Sequence, residues 1–271
     1  MSQKNKNTQF QYQGYVNTPF LWLDSFSIME IEQMELIDTK ISVFDKKLPN
    51  NLLLGKRVER FISHQIQQFD SIEVLCENVQ IQNGKLTVGE LDAIIKANDT
   101  PIHLEMVYKF YLHDETVGET ELNHWIGPNR KDSLIEKLNK LKNKQFPLLY
   151  NEHTKPILEE YGLEPQTIQQ KVLFKAQLFK PYQKEITFNQ LNSDCLAGFY
   201  IKHQELEYFT KCKFFIPKKV DWLIEPYTQI DWSSFDDFSK AISEYMNTQR
   251  APLCWIKHPN GTLQKFFVVW W

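Results

Sequence analysis

The chain has 271 residues, enough to bury a sizeable core as one large domain or as a core with an appended lobe. Hydrophobic residues make up 42% of it and charged residues 24%, which is ordinary for a soluble globular protein. The formal net charge of −3 excludes a protein that is basic overall, so any nucleic-acid-binding surface must be local.

The first ten residues are polar and no apolar segment follows them, so no secretory signal peptide is expected. No run of about 18 apolar residues exists, which argues against a membrane span. The four cysteines form no C-x-x-C pair, and with the seven histidines they show no zinc-binding spacing. We therefore expect buried or idle thiols and a cytoplasmic protein.

The N-terminal third predicts an arm and a helix. Residues 1–17 are rich in Gln and Asn and predict a loosely ordered, flexible arm. Residues 50–69 predict an amphipathic helix. Its apolar positions are Leu54, Val58, Phe61, Ile62 and Ile66. Glu59 on this helix could face the rest of the fold, although most helix carboxylates face water.

Three antiparallel strands are predicted next, over residues 72–82, 85–95 and 102–112. Asn83-Gly84 between the first two is a preferred two-residue hairpin turn, because both central positions need a positive φ. In the second and third strands apolar and charged residues alternate, so one face is expected to pack on a core and the other to collect charge.

Asp92 and Glu105 lie on the charged face of these strands. If residues 97–100 form the second hairpin loop, the two side chains are directly opposed, with Cβ atoms about 4.5–5.5 Å apart, and like charges placed so are destabilising. A divalent cation between the carboxylates is the simplest compensation. Lys109 lies further along the same face as Glu105.

Other interpretations of this face remain open. Asp92 and Lys109 could form an ordinary diagonal ion pair, and Glu90 could be the functional carboxylate instead of Asp92. His103 is more simply a polar surface residue than a metal ligand, because nothing else at metal-binding spacing joins it. Trp271, at the aromatic C-terminus, is more simply a packing residue than a base-stacking platform.

A basic helix follows over residues 130–146, with Asn129 as a possible N-cap. Its apolar stripe comprises Leu134, Ile135, Leu138 and Leu141. The remaining positions are strongly basic: Arg130, Lys131, Lys137, Lys140, Lys142 and Lys144. Such a run is either a solvated face or a phosphate-binding surface, and the nearby acidic face favours the latter. Gln145 could project toward the acidic site.

Residues 171–179 predict a fourth strand, reached through the helix and therefore parallel to its neighbour. The segments beyond it are β-rich, with one helix over residues 235–246 capped by Ser233 or Ser234. The predicted class is α/β (α+β): a mixed sheet of three antiparallel strands plus a crossover strand, flanked by helices. We expect a flexible arm (1–17), a core (18–180) and a β-rich C-terminal lobe (181–271).

The order helix, three antiparallel strands, helix, strand resembles the core of the restriction-endonuclease-like, PD-(D/E)XK nuclease superfamily. Four segments more closely resemble a bacterial family catalogued as a domain of unknown function, DUF1853, which has been placed in that superfamily. They are GELD (89–92), HLEMVYKFYL (103–112), WIGPN (125–129) and FIPKKVDWL (215–223). The resemblance runs from about Gly55 to the Trp-rich C-terminus.

This resemblance implies that Asp92 and Glu105 bind Mg²⁺ or Mn²⁺, with Glu59 as the helix carboxylate of the site. Lys109 would orient or activate the attacking water, and Gln145 would match a glutamine found in some members. Hard oxygen ligands suit these cations. The partner would be nucleic acid, with DNA the leading candidate. The basic residues expected to bind it are Arg130, Lys131, Lys137, Lys140 and Lys144.

The lysine departs from the superfamily pattern. There it follows the acid by two residues, whereas Lys109 follows Glu105 by four and Val107 stands in the usual place. Two further strand residues displace the ammonium by about 6.6 Å. The leading prediction is therefore a metal-dependent nuclease, and the alternative is a nuclease-fold module that binds nucleic acid without cutting. A protein-interaction scaffold using the aromatic C-terminal lobe is a third prediction. Oligomeric state is not predicted.

Overall fold

The computed structural model describes residues 3–23, 25–36, 41–49 and 51–271, with side chains from residue 7 onward. The α-helices among these residues are α1 (Gln3–Asn17), α2 (Leu54–Ile66), α3 (Leu134–Lys140), α4 (Lys155–Glu160) and α5 (Phe235–Asn247). The strands are β1 (Ser27–Ile28), β2 (Ile31–Gln33), β3 (Ile72–Asn83), β4 (Leu86–Ala97), β5 (Thr100–His113), β6 (Trp125–Ile126), β7 (Gln169–Pro181), β8 (Leu196–Lys202), β9 (Lys213–Phe215), β10 (Leu253–Lys257) and β11 (Leu263–Val269).

One large mixed sheet organises the molecule, with the main strand order β3-β4-β5-β7-β8-β11-β10-β9. Strands β3, β4 and β5 are antiparallel, whereas β5–β7, β7–β8 and β8–β11 are parallel pairs. The prediction that the fourth long strand runs parallel to its partner is confirmed. Helices flank the sheet, so the fold is mixed α/β.

The β4–β5 hairpin has the predicted register. Ala97 pairs with Thr100, and the two residues between them, Asn98 and Asp99, have positive φ of 46° and 67°. Asn and Asp tolerate this left-handed conformation better than most residues do. Regular pairing continues to Ala93 and Leu104 and then stops. Beyond that point β4 stays with β3, while β5 stays with β7.

Both faces of the central sheet are covered. Helices α1 and α2 pack on one face, where Tyr12, Tyr15 and Phe61 are buried with Leu104 and Leu112 of β5. Helix α3 packs on the other. Its stripe residues Leu134, Leu138 and Leu141 are buried there with Val107 and Tyr111. A strand covered on both faces is apolar on both, so the predicted charged face is largely buried.

The N-terminal segment differs from its prediction. Residues 3–17 form helix α1 instead of a loosely ordered arm, and residues 1 and 2 lie outside the described residues. Tyr12 and Tyr15 are 1% and 0% exposed, so the segment is part of the core. Because the segment is rich in Gln and Asn, its composition does not indicate that two of its tyrosines pack on α2.

The basic segment begins and ends differently from its prediction. Helix α3 starts after Ser133, whose hydroxyl accepts a hydrogen bond from the Glu136 amide, so Ser133 is the N-cap in place of Asn129. Asn129 instead accepts a hydrogen bond from the amide of Ala251. After Lys140 the helix widens into a π-helical turn, Leu141–Gln145, followed by a 3₁₀ turn, Phe146–Tyr150.

The C-terminal strands extend the same sheet. Strands β8, β11, β10 and β9 follow β7 in order, and α5 begins after its predicted cap Ser234. A separate cluster of buried side chains, all within residues 199–268, fills the space between these strands and α5. Among the helices of the described residues, none combines the length and apolar composition needed to cross a bilayer.

Candidate functional site

Two carboxylates come together where β4 separates from β5. Asp92 lies one residue beyond the last regular pair, and its Oδ2 accepts a hydrogen bond from the Met106 amide at 2.8 Å. Glu105 precedes Met106 on β5 and is completely buried. The two carboxyl groups, the acid pair of this site, interact directly with each other. The predicted juxtaposition of Asp92 and Glu105 is therefore present.

The segment after α3 supplies partners to the acid pair. Gln145, the last residue of the π-helical turn, donates a hydrogen bond from Nε2 to Glu105 Oε2. Its Oε1 accepts a hydrogen bond from Lys137 Nζ at 2.7 Å. Single π-helical turns are common at functional sites because they re-aim side chains. Gln145 thus lies beside the acids, as expected. Its hydrogen bond with Lys137 places that lysine near the acids as well.

His103 is buried against Glu105, which contradicts its interpretation as a surface residue. Gln170 Nε2 lies 3.2 Å from His103 Nδ1 and donates to it, so the imidazole carries its proton on Nε2. That nitrogen lies 3.3 Å from Glu105 Oε1, but the two atoms are not aligned for a hydrogen bond. Glu105 Oε1 is thus a buried acceptor with no hydrogen-bond partner among the described residues.

Burial dominates the protonation of this site. Burial, together with the charge of the neighbouring Glu105, raises the pKa of Asp92 to about 6. Burial likewise raises the pKa of Glu105, against the opposing effect of Lys137. The pKa of Lys137 is lowered by burial, although both acids favour its charged form. Burial lowers the pKa of His103 to about 4, so the imidazole is neutral. Several ionisable groups with shifted pKa values close to one another are typical of functional sites.

Glu59 and Glu90 lie at the edge of the site and share one cation. Lys56 Nζ is 2.8 Å from Glu59 and 2.6 Å from Glu90. Burial is the main cause that raises the pKa of Glu59, and the charge of the nearby Asp92 adds to it. Glu90 is turned toward Lys56 and does not replace Asp92 in the pair.

The donor set fits a hard divalent cation in part. Within the described residues no group of three or more His, Cys, Asp or Glu side chains has a metal-holding arrangement, so Glu59 does not complete a three-residue cluster. Asp92 and Glu105 nevertheless provide carboxylate oxygens, one of them unpartnered. Mg²⁺ is commonly held by one or two carboxylates and keeps several waters. Two acids therefore suffice for such an ion.

Lys109 is directed away from the acid pair. Its Nζ lies 2.6 Å from Asp132 Oδ2, in the segment before α3. Val107, which occupies the usual lysine position of the superfamily, is buried against Tyr111 and the α3 stripe. The lysine that contacts the acidic site through Gln145 is Lys137, which the sequence placed on the basic surface.

The other predicted nucleic-acid-binding residues differ in their availability. Arg130 is held between Asp114, 2.7 Å away, and the ring of Trp271, whose centroid is 4.5 Å from the guanidinium carbon. Trp271 is thus a packing residue here. Lys131, Lys140 and Lys144 are exposed to solvent.

The sequence analysis named Lys137 and His103 but did not place either of them beside the acid pair, although each position had a signal in the sequence. Lys137 occupies the i+3 position of the stripe that begins at Leu134 and continues through Leu138, so it lies on the inward side of α3. His103 shares its strand face with Glu105 and Val107. The prediction of a parallel neighbour already implied that β5 is covered on both faces.

These features define a mixed α/β protein with a buried acid pair and an inward-facing lysine beside it. The chain belongs to the family described as Domain of unknown function (DUF1853), whose profile matches residues 3–269. This confirms the closer of the two resemblances drawn from the sequence. No curated protein and no solved structure matches the chain significantly.

Proposed function

We propose that this protein is a metal-dependent nuclease with a restriction-endonuclease-like, PD-(D/E)XK core that hydrolyses nucleic-acid phosphodiester bonds. The observation that carries the proposal is the acid pair with Lys137, set where β4 leaves β5. The element order α2, β3–β4–β5, α3, β7, with β7 parallel to β5, supports the superfamily assignment.

In this proposal Asp92 and Glu105 hold one Mg²⁺ or Mn²⁺. The cation would supply positive charge that activates water and offsets charge developing on the phosphate. Lys137 adds a second positive charge at the reacting phosphate. Gln145 orients both Lys137 and Glu105 through its amide, and the His103 Nε2–H faces the free oxygen of Glu105. Residues that hydrogen-bond to a metal ligand without touching the metal commonly fix the orientation of carboxylate ligands.

The raised pKa values make cation binding dependent on pH. Asp92, with a pKa of about 6, is partly protonated in mildly acidic solution, and a cation can bind only after the proton leaves. We therefore expect the affinity for Mg²⁺ to rise as the pH increases from about 5.5 to 7.5.

The direct test is calorimetric titration of Mg²⁺ and Mn²⁺ into the wild type, Asp92→Asn and Glu105→Gln. Glu159→Gln is the matched control, since Glu159 is an exposed carboxylate on α4. Wild type and control should bind and show a higher melting temperature with metal. Asp92→Asn and Glu105→Gln should do neither. Cleavage of labelled DNA and RNA should follow the same pattern, and cleavage that survives both substitutions contradicts the proposal.

A second candidate function is a module that binds nucleic acid without cutting it. The observation that favours it is the Lys109–Asp132 ion pair, which keeps the strand lysine away from the acid pair. It predicts salt-dependent binding that weakens in a Lys131→Ala, Lys140→Ala and Lys144→Ala triple variant. No cleavage would then occur with either metal.

A further inference from the structure

A cavity of about 470 Å³ is lined in part by Met106, whose amide donates to Asp92, and by Lys137, whose ammonium donates to Gln145 beside Glu105. It lies between α2, the Met106–Phe110 stretch of β5, the segment 128–132 and Trp222. Within the described part of the chain, Met106–Phe110 pairs with β7 on one side and has no paired strand on the other. The cavity therefore occupies the space opened where β4 diverges, and its volume is typical of a small-molecule site.

One wall of the cavity is apolar and aromatic. Val58 and Ile62 of α2 line it together with Phe110 and Trp222, which are each 8% exposed. The Phe110 and Trp222 rings meet edge to face with centroids 5.4 Å apart. Aromatic surfaces of this kind bind flat, unstacked bases with little sequence preference, because every base has a π-face.

The remaining lining is basic. Lys109, Lys131, Lys137 and Lys219 all border the cavity, against the acids Glu59 and Asp132. Both acids already have a cationic partner, Lys56 and Lys109 respectively. Lys131 and Lys219 have no ion-pair partner among the described residues, and Lys219 lies over the Trp222 ring. The cavity thus presents two uncompensated positive charges next to an aromatic wall.

We propose that this cavity receives one unpaired nucleotide of a single-stranded nucleic acid. The base lies against the Phe110 and Trp222 wall, and flanking phosphates bind Lys131 and Lys219. Lys137 borders both the cavity and the acid pair, so the adjoining phosphodiester is brought to the metal-binding acids. The inference rests on the proposed function and assigns its substrate to single strands or frayed ends.

Duplex is disfavoured for a physical reason. A paired base is stacked and hydrogen-bonded, and it must be unpaired and turned out before it can enter a closed cavity. Single strands present their bases without that cost. Binding should therefore be stronger for a single strand than for a blunt duplex of the same length.

Gly55 allows the cavity to be blocked without disturbing the core. It borders the cavity near the start of α2, and an added Cβ there meets no atom within 4 Å. Gly55→Trp should therefore fold and fill the cavity entrance. Gly55→Ala is the matched control, because a methyl group is too small to obstruct a base and alanine favours the helix.

The experiment measures binding of a fluorescently labelled single-stranded oligonucleotide and of a blunt hairpin duplex to the full chain. It is run in EDTA, so that no cleavage competes. The wild type should bind the single strand about tenfold more tightly than the duplex, as the contribution of one stacked base predicts. Gly55→Trp should weaken single-strand binding by about tenfold, whereas Gly55→Ala should remain within about twofold.

The phosphate contacts have a separate readout. A Lys131→Ala and Lys219→Ala double variant should reduce the slope of log affinity against log salt by about 1.4, since each phosphate contact on a single strand contributes about 0.7. Replacing Lys155 and Lys240, two exposed lysines outside the cavity, provides the charge-matched control and should leave the slope unchanged.

The outcomes separate this inference from the proposed function. Equal affinity for single strand and duplex, together with no effect of Gly55→Trp, overturns the nucleotide cavity. Metal-dependent cleavage lost in Asp92→Asn would still support the nuclease. Binding blocked by Gly55→Trp without any cleavage would support the cavity and overturn the nuclease. Absence of binding to either nucleic acid, together with absence of metal-dependent cleavage, overturns both.

Discussion

Two lysines, Lys265 on strand β11 and the half-buried Lys137 on helix α3, have opposite surroundings. Lys265 of β11 is 1% exposed and donates to Gln177 Oε1, the Leu223 carbonyl and Glu225 Oε1. An ammonium has three donors, and here each has an acceptor. Lys137 donates to Gln145 and borders two acids with raised pKa values, one of which keeps an unpartnered oxygen.

The comparison separates a lysine whose donors are all paired inside the fold from the lysine that we propose to be functional. A buried ion whose hydrogen bonds are all made can be retained for structure alone. Two adjacent carboxyl groups, one of them with a buried and unpartnered oxygen, are costly to the fold, and such costs are characteristic of functional sites. The unpartnered oxygen of Glu105 near Lys137 therefore supports the proposed metal site.

The largest expected effect would come from removing the functional lysine. Lys137→Met should lower metal-dependent cleavage about 10²- to 10³-fold, because a buried positive charge at the reacting phosphate is lost. Lys109→Met is the matched control. It removes a lysine that faces Asp132, so cleavage should fall by less than about tenfold. Single-turnover rates of the two variants provide the measurement.

The reverse order of effects would show that Lys109 leaves Asp132 when substrate binds and acts at the acid pair. That result would support the role that the sequence predicted for Lys109. It would contradict the proposal that Lys137 acts at the acid pair in its place.

Removing the structural lysine should affect stability alone. Lys265→Ala should lower the free energy of unfolding by about 2–3 kcal/mol, because Gln177 Oε1 and the Leu223 carbonyl lose their donor inside the protein. Glu225 is largely exposed and regains water. Urea denaturation measures the loss. Mg²⁺ affinity should equal that of the wild type, and a change in it would mean that the two halves are coupled.

The smallest expected effect is a gain in stability from neutralising the acid pair. Asp92→Asn should raise the free energy of unfolding by about 1–2 kcal/mol at pH 7.5, because the buried ionised carboxylate is replaced by a neutral group. The amide oxygen can still accept the hydrogen bond from Met106. Urea denaturation without metal, at pH 4 and at pH 7.5, provides the measurement.

The dependence on pH follows from the direction of the pKa shift. The Asp92 carboxyl ionises near its ordinary value of 3.8 when unfolded, but holds its proton to about pH 6 when folded. Between these values the folded state binds more protons, so the stability of the wild type falls as the pH rises. The advantage of Asp92→Asn should therefore disappear near pH 4. An equal advantage at both pH values would refute the assignment.

Much of the fold was predictable because its signals are local. The turn at Asn98 and Asp99 sets the register of β4 and β5, since a short turn leaves few ways to pair the adjoining strands. The β3–β4 turn lies at Gly84 and Lys85, one residue later than Asn83-Gly84 predicts, and two bulges shift the pairing of these two strands. Helix α1 was not predictable in the same way. Its polar composition gives little sign of the partners that Tyr12 and Tyr15 find on α2.

The candidate site was predictable in part for the same reason. Asp92 and Glu105 face each other through a hairpin, so alternation and register were enough to pair them. The contacts of Lys137 and Lys109 depend on how α3 packs across the sheet and where its π-helical turn falls. No short-range sequence pattern encodes the partners of these two lysines.

The sequence by itself determined the strands, the hairpin register, the acid pair and membership of the family. The tertiary structure alone decided how completely the charged face is buried, that Lys137 in place of Lys109 joins the acids, and that a cavity opens beside them. The physical reason is distance along the chain. Register follows from neighbouring residues, whereas burial and the direction of a long side chain depend on elements that meet only after the chain has folded.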